Sequence, residues 1–250
     1  MRYNPAKHRL PPFPGFGILL VDKPKEWTSF DVVNCLRGRF NIPKIGHCGT
    51  LDPAATGLLV LVLGRFTTLA SKFSGDNKTY EATIRIGVAT DSQDMTGSVI
   101  EEKPWEHITA DEVRRALEAK IGKSMQLPPM VSAVKKDGKK LYELARKGIE
   151  IERDPREIEI FSLKVGKIEL PLADFTVECS KGTYVRTLCD DVGRDLGCGG
   201  TLEKLRRTRC GQFHLEDAFQ LDELKSMEPE QLNDRLHEFL LKLGGLNVLA

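Results

Sequence analysis

The chain has 250 residues, 40% of them apolar and 29% charged. That is enough apolar content for a substantial core in one large domain or two small ones, and it excludes an intrinsically disordered chain. The longest apolar run, Leu58 to Leu63, is far short of the roughly 20 residues of a membrane-spanning helix. The 37 basic and 36 acidic residues give a net charge of +1, which taken alone argues against a nucleic-acid partner.

In chain order, residues 1–14 carry Arg2, Lys7, Arg9 and several prolines without an apolar stretch, so no secretory leader is expected. Phe16 to Asp22 reads as a buried strand. Thr28-Ser29 supplies an N-cap for a helix to about Arg39, with Asp31 placed to favour its N-terminus. A loop bearing Gly and Pro, Ile42 to Gly57, feeds the apolar strand Leu58 to Leu63, and a short helix follows near Thr67 to Phe73. Lys78 to Gly87 alternates, with Tyr80, Ala82, Ile84 and Ile86 on one face of a half-buried strand. Ala89 to Gly97 is a polar loop. Thr109-x-x-Glu112 is a capping box opening a helix to about Lys120, and Lys123 to Leu127 follows as a strand.

Pro128 to Ile151 breaks the rhythm. It opens on Pro128-Pro129, is rich in lysine and holds one short predicted helix, Leu141 to Lys147, ended by Gly148. It reads as an exposed insertion. Glu157 to Ile168 and Phe175 to Ser180 are strands. A helix from Thr183 to about Asp195 places Val185, Leu188, Val192 and Leu196 on its core face. Thr201 to Arg207 reads as a short helix, Gly211 to Leu215 as a closing strand and Pro229 to Leu243 as a last helix. Without strict βαβ alternation, the pattern predicts an α+β fold with a mixed or antiparallel sheet.

Signatures for nucleotide hydrolysis, hydride transfer and zinc hydrolysis are absent. The six cysteines, Cys35, Cys48, Cys179, Cys189, Cys198 and Cys210, form no CxxC pair and have no histidine at metal-ligand spacing. Reduced thiols in a cytoplasmic protein are expected, with no metal and no cofactor. The densest candidate for chemistry is Gly46 to Gly57, GHCGTLDPAATG. Its glycines permit close approach of a ligand, and Pro53 holds Asp52 extended. A carboxylate on such a loop can serve as nucleophile or base. The competing reading is a turn in which Asp52 makes only local hydrogen bonds.

This loop resembles the catalytic loop of the TruB family of pseudouridine synthases. Five further stretches resemble family motifs, in the family's order: GILLVDKPKEWTS, KTYEATIRIGVATDSQDMTG, PPMVSAVKKDGKKLYELARKG, CSKGTYVRTL and TLEKLRRTRCGQF. Together they span roughly residues 16 to 215. The resemblance implies the pseudouridine synthase fold, with a central, mostly antiparallel mixed sheet flanked by helices. It implies isomerisation of uridine to pseudouridine at position 55 in the T-loop of tRNA, with Asp52 as nucleophile on a flipped-out base. Tyr80 matches the stacking tyrosine. Arg186 matches an arginine that, within reach of Asp52, would hold the carboxylate ionised. His47, Lys23, Tyr184 and Leu205 match substrate-binding positions. Lys135, Lys136, Lys139, Lys140, Arg146 and Lys147 of the insertion, with Arg206 and Arg207, would contact RNA phosphates.

The implied domains are an N-terminal tail over 1–14, a catalytic domain over 15–215 with its insertion at about 128–151, and an acidic helical extension over 216–250. A full C-terminal RNA-binding domain of the PUA type is not expected in so short a remainder. A monomer is expected, acting on the T-arm of tRNA without guide RNA or membrane. The alternative is a non-catalytic tRNA-binding chaperone on the same fold. Glu26 departs from the family pattern, which has Gly at this place in the turn after Asp22-Lys23-Pro24. The charge also has a pattern: residues 1–214 carry 34 basic and 28 acidic side chains, and residues 215–250 carry 3 and 8. A mildly basic body and an acidic C-terminal segment thus sum to near neutrality, and RNA contacts are expected on the body.

Overall fold

The computed structural model describes residues 11–130, 135–136, 139–140 and 151–244. The chain divides into two compact units. One is the chain up to Asp76 together with the chain from Arg207 onward; the other is Asn77 to Arg206.

The first unit is built on strands β1 (Gly17–Lys23) and β3 (Thr56–Leu63). They pair antiparallel with Leu20 opposite Val60. β2 (Ile45–His47) joins β3 with Gly46 opposite Val62, so the expected loop over 42–57 contains a short strand. The short strand Phe219–Gln220 adds a parallel neighbour to β1. Successive strand side chains point to opposite faces, and here both faces are covered. Leu19, Val21, Leu59, Leu61 and Leu63 pack with Val32, Val33, Leu36 and Phe40 of helix α1 (Ser29–Phe40). Ile18, Leu20, Leu58, Val60 and Val62 pack with Phe66, Phe73, Phe213 and Leu240. Double burial explains why the sequence of β3 is a continuous apolar run rather than an alternation. Each such side chain contributes about 1.5–3 kcal/mol on burial.

The segment expected as an acidic extension helps to build this core. Helices Leu221–Ser226 and Pro229–Lys242 place Leu221, Leu224, Leu232 and Leu236 in the α1 cluster, with the acidic side chains on their outer faces.

The second unit is an antiparallel sheet in the order β4 (Lys78–Ile86), β11 (Leu172–Cys179), β10 (Arg156–Glu169) and β7 (Gly122–Gln126). Tyr80 lies opposite Val177 and Ile158 opposite Ser124. The helix Ala110–Glu118 packs on β10, and the helix Val185–Asp195 packs on β4 and on the helix Ala110–Glu118. The polar loop over 89–97 is flanked by the hairpin strands β5 (Val88–Thr90) and β6 (Val99–Glu102). Within the insertion, β8 (Lys135–Lys136) and β9 (Lys139–Lys140) form a small hairpin with Lys135 opposite Lys140. The helix expected over 141–147, with Arg146 and Lys147, lies outside the described residues.

One element differs from expectation. Thr201 to Arg207 is not a helix but part of strand β12 (Gly200–Cys210). Leu, Glu, Lys and Arg favour helix intrinsically, but tertiary partners decide here. The Thr201 hydroxyl lies 3.1 Å from that of Thr90, and Glu203 pairs with Arg85 at 2.7 Å. The approach to β12 also requires glycine. A Cβ on Gly193 would sit 1.9 Å from Gly200 N, so the helix Val185–Asp195 touches the start of the strand backbone to backbone.

Candidate active site

In the first unit the candidate carboxylate, Asp52, sits on the loop between β2 and β3 and is partly exposed. Both of its neighbours are fastened. Ser29 Oγ donates to Leu51 O at 3.1 Å and accepts from the Leu51 N–H at 2.8 Å. Pro53 O accepts from the Glu26 N–H at 2.8 Å and from Lys23 Nζ at 3.3 Å. Asp52's own carbonyl accepts from the Ala55 N–H at 3.1 Å. The turn that reaches Pro53 has Glu26 at φ +70, in the left-handed region, which accounts for the family's glycine there.

Two buried cations brace the same loop. Lys23 is fully buried, and its Nζ also donates to Pro24 O at 2.9 Å and Trp27 O at 2.6 Å. Burial lowers its pKa from 10.5 to about 8, with Asp52's charge opposing the shift and Arg207's adding to it. Arg207 is 1% exposed and ties the loop's two ends: Nε donates to Leu58 O at 2.7 Å and Nη2 to Gly49 O at 3.1 Å. The RNA contact expected of Arg207 and the substrate contact expected of Lys23 fall on side chains that are buried here. Both charges are spent on main-chain carbonyls under the protein surface. His47, on β2, has its pKa pushed below the usual histidine range, first by burial and then by Arg207's charge. Its imidazole is neutral at pH 7.

The second unit holds the other expected residues. Tyr80 is on the buried face of β4, 8% exposed. Arg186, in the first turn of its helix and 4% exposed, has Nη1 at 3.6 Å from Asp94 Oδ2 and 3.5 Å from Ser92 O. Asp94 also accepts from Ser92 Oγ at 2.8 Å, from the Thr96 N–H at 2.9 Å and from Thr96 Oγ1 at 2.5 Å. Gln93 stands at φ +65 and its side-chain amide reads the same helix. It donates to Asp190 at 3.0 Å and accepts from Thr187 at 2.7 Å. The loop is folded tightly enough that a Cβ on Gly97 would meet Asp91 Oδ1 and Ser92 Oγ at 2.3 Å. Tyr184 caps the helix, and Gln126 holds its backbone from both sides, at 2.8 and 3.1 Å. Leu205 and Arg206 are partly exposed on β12. Among the described residues no group of three or more His, Cys, Asp or Glu side chains is arranged to hold a metal ion, and no helix is long and apolar enough to cross a membrane.

The N-terminal domain of TruB family pseudouridylate synthases is matched over residues 37–185, and a tRNA pseudouridylate synthase B C-terminal domain over residues 186–243. A protein of Opitutus terrae named tRNA pseudouridine synthase B is 47% identical over 220 residues, 88% of this chain and 91% of its own length. The chain belongs to the TruB family. A second protein of that name, from Geobacter sulfurreducens, is 47% identical over 234 residues, 93% of this chain and 77% of its own. Among solved structures, one described as a Cbf5-Nop10-Gar1 complex matches with a TM-score of 0.66 and 29% identity. It covers 84% of this chain, which spans 54% of that one.

Three residues of this TruB-family chain were not singled out in the sequence. Ser29 reads there only as one half of a Thr-Ser helix start. Asp94 lies in the TDSQDMTG stretch, but nothing local tells which cation it meets 92 residues later. Gln126 is the last residue of a strand and looks like any polar strand end.

Proposed function

We propose that this chain isomerises uridine to pseudouridine in tRNA, at the T-loop uridine numbered 55 in standard tRNA numbering, with Asp52 as the reacting carboxylate. The observation that carries the reading is the anchorage of Asp52: a carboxylate on an otherwise polar-poor loop, with both flanking residues hydrogen-bonded to other elements. A residue that only closed a turn would not need its neighbours held in this way. The two curated relatives bear the name tRNA pseudouridine synthase B, which supports the substrate class.

The reaction breaks the N1–C1′ bond, turns the base and joins C5 to C1′. The proton lost from C5 balances the proton gained at N1, so neither oxidant, net water nor cofactor enters. Asp52 can serve this by attack on C1′, by attack on C6, or by assisting an elimination from the sugar. In this reading Tyr80 offers an aromatic face to the extruded base, and Arg186, oriented by Asp94, supplies a fixed positive charge. His47, Tyr184 and Leu205 line the substrate. Lys135, Lys136, Lys139, Lys140, Arg146, Lys147 and Arg206 contact phosphates. The enzyme acts as a cytoplasmic monomer without guide RNA.

The test is carbodiimide labelling and primer extension on a T-arm transcript with no accessory protein. Wild type is expected to modify the T-loop uridine, and Asp52→Asn to fold and bind but give no product. Product from Asp52→Asn at the wild-type rate removes Asp52 from the chemistry. Binding without product by wild type makes the chain a tRNA-binding protein instead. Charge reversal at Lys135, Lys136 and Lys139 is expected to lower affinity and flatten its salt dependence.

A further inference from the structure

The hydroxyl of Ser29 is spent on something other than its own helix. Residues at helix starts usually use such groups to satisfy orphan N–H donors. Here that need is already met one residue earlier. Thr28 Oγ1 accepts from the Asp31 N–H at 3.0 Å, and Asp31 Oδ2 accepts from the Thr28 N–H at 2.9 Å. Ser29, 2% exposed, instead turns its hydroxyl across the fold to Leu51, 22 residues away in sequence. It satisfies both main-chain groups of that residue, donating to the carbonyl and accepting from the N–H.

Leu51 is the residue before Asp52, and its side chain is 3% exposed. The residue after Asp52 is held by the turn that carries Glu26 and Lys23. With both neighbours fixed, the Asp52 Cα has little freedom, and the place from which the carboxylate starts is set by the backbone on either side. We infer that Ser29 is a positioning residue for Asp52, setting the backbone from which the carboxylate reaches the substrate. This rests on the reading of Asp52 as the reacting group. It assigns to α1, otherwise a packing element, a task in the reaction.

Replacement by alanine leaves two buried main-chain groups of Leu51 without the hydroxyl, so the loop shifts to find other partners. A displacement of about 1 Å at a reacting group costs on the order of a hundredfold in rate. The experiment compares Ser29→Ala, Ser29→Thr and Ser29→Cys with wild type and Asp52→Asn on the T-arm transcript. Single-turnover rates are measured with each variant's folded fraction checked by circular dichroism, alongside RNA affinity. Ser29→Ala is expected to lose about ten- to a hundredfold in kcat, with KM and RNA affinity within about twofold of wild type. Ser29→Thr, which keeps the hydroxyl, recovers most of the rate. Ser29→Cys, close in size but a weak hydrogen-bonding group, falls between and carries the same test if Ser29→Ala does not fold. A folded Ser29→Ala or Ser29→Cys with kcat within about threefold of wild type, beside an inactive Asp52→Asn, overturns this inference alone. So does a loss confined to KM. An Asp52→Asn variant as active as wild type overturns the reading of Asp52 and this inference with it.

Discussion

Glu26→Gly is expected to stabilise the protein. The backbone there has φ +70, a conformation that costs a residue with a Cβ about 1–2 kcal/mol. Glycine escapes that cost but loses about 0.5–1 kcal/mol more chain entropy on folding. The difference favours glycine by about 0.5–1 kcal/mol. The Glu26 side chain is exposed, so its removal forfeits no burial. The hydrogen bond to Pro53 O comes from the main-chain N–H and survives the change. For a chain of this size 1 kcal/mol corresponds to about 2–4 °C in Tm, so a rise of about 1–4 °C is expected by scanning calorimetry. Gln93→Gly is the control, at φ +65. There the side chain makes a hydrogen bond to the Asp190 carboxylate and accepts one from Thr187. Their loss, about 1.5–3 and about 1 kcal/mol, outweighs the relief, and Tm should fall. A lower Tm for Glu26→Gly, or a higher one for Gln93→Gly, would refute the argument.

Asp94→Asn takes a negative charge from beside a buried guanidinium while keeping a similar shape. Breaking a buried pair costs about 3–5 kcal/mol; the 3.6 Å separation and the retained oxygen acceptor put this case at the lower end. A drop of about 3 kcal/mol in urea unfolding is expected, with kcat falling more than RNA affinity; an unchanged urea midpoint would show that the pair contributes nothing. Lys23 gives a pH signature. Its folded pKa of about 8 lies below the unfolded 10.5, so between those values the folded chain has released a proton that the unfolded chain keeps. Stability attributable to Lys23 therefore rises with pH across that window. The stability difference between wild type and Lys23→Met should show this slope, and a flat difference from pH 8 to 10 would contradict the lowered pKa.

The sequence made local features legible and long-range ones not. The N-cap at Thr28-Ser29 and the capping box at Thr109 are set by residues close in sequence, and both ends are capped, with Asp31 closing a box on Thr28 as well. The alternation of β4 and the apolar run of β3 report how many faces of each strand are covered. In β12, TLEKLRR reads as helix because its residues have strong helical preference, while the contacts that hold it extended come from Thr90 and Arg85, more than a hundred residues earlier. The surroundings of Arg207 are hidden for a related reason. Within Leu205-Arg206-Arg207-Thr208-Arg209 it reads as one member of a basic surface cluster, and alternation along the strand sends it inward to carbonyls 149 and 158 residues away. Asp52 itself was visible from its loop; the groups that hold its neighbours were not.

The charges around that loop follow one logic. Lys23 and Arg207 are both buried, and the hydrogen-bond acceptors described for them are carbonyls of Gly49, Leu58, Pro24, Trp27 and Pro53. A carbonyl solvates a cation but brings no opposite charge, so each cation leaves a positive potential in the loop. The charge that most favours the protonated form of Lys23 is Asp52's. Asp52 is thus the counter-charge of its own support as well as the proposed reacting group. Asp52→Asn therefore does more than remove a nucleophile. It removes the strongest influence raising the Lys23 pKa, so that pKa moves further down and the pH window in which Lys23 is protonated narrows. A comparison of wild type with Asp52→Asn isolates the chemistry only at a pH well below 8, where Lys23 is charged in both proteins.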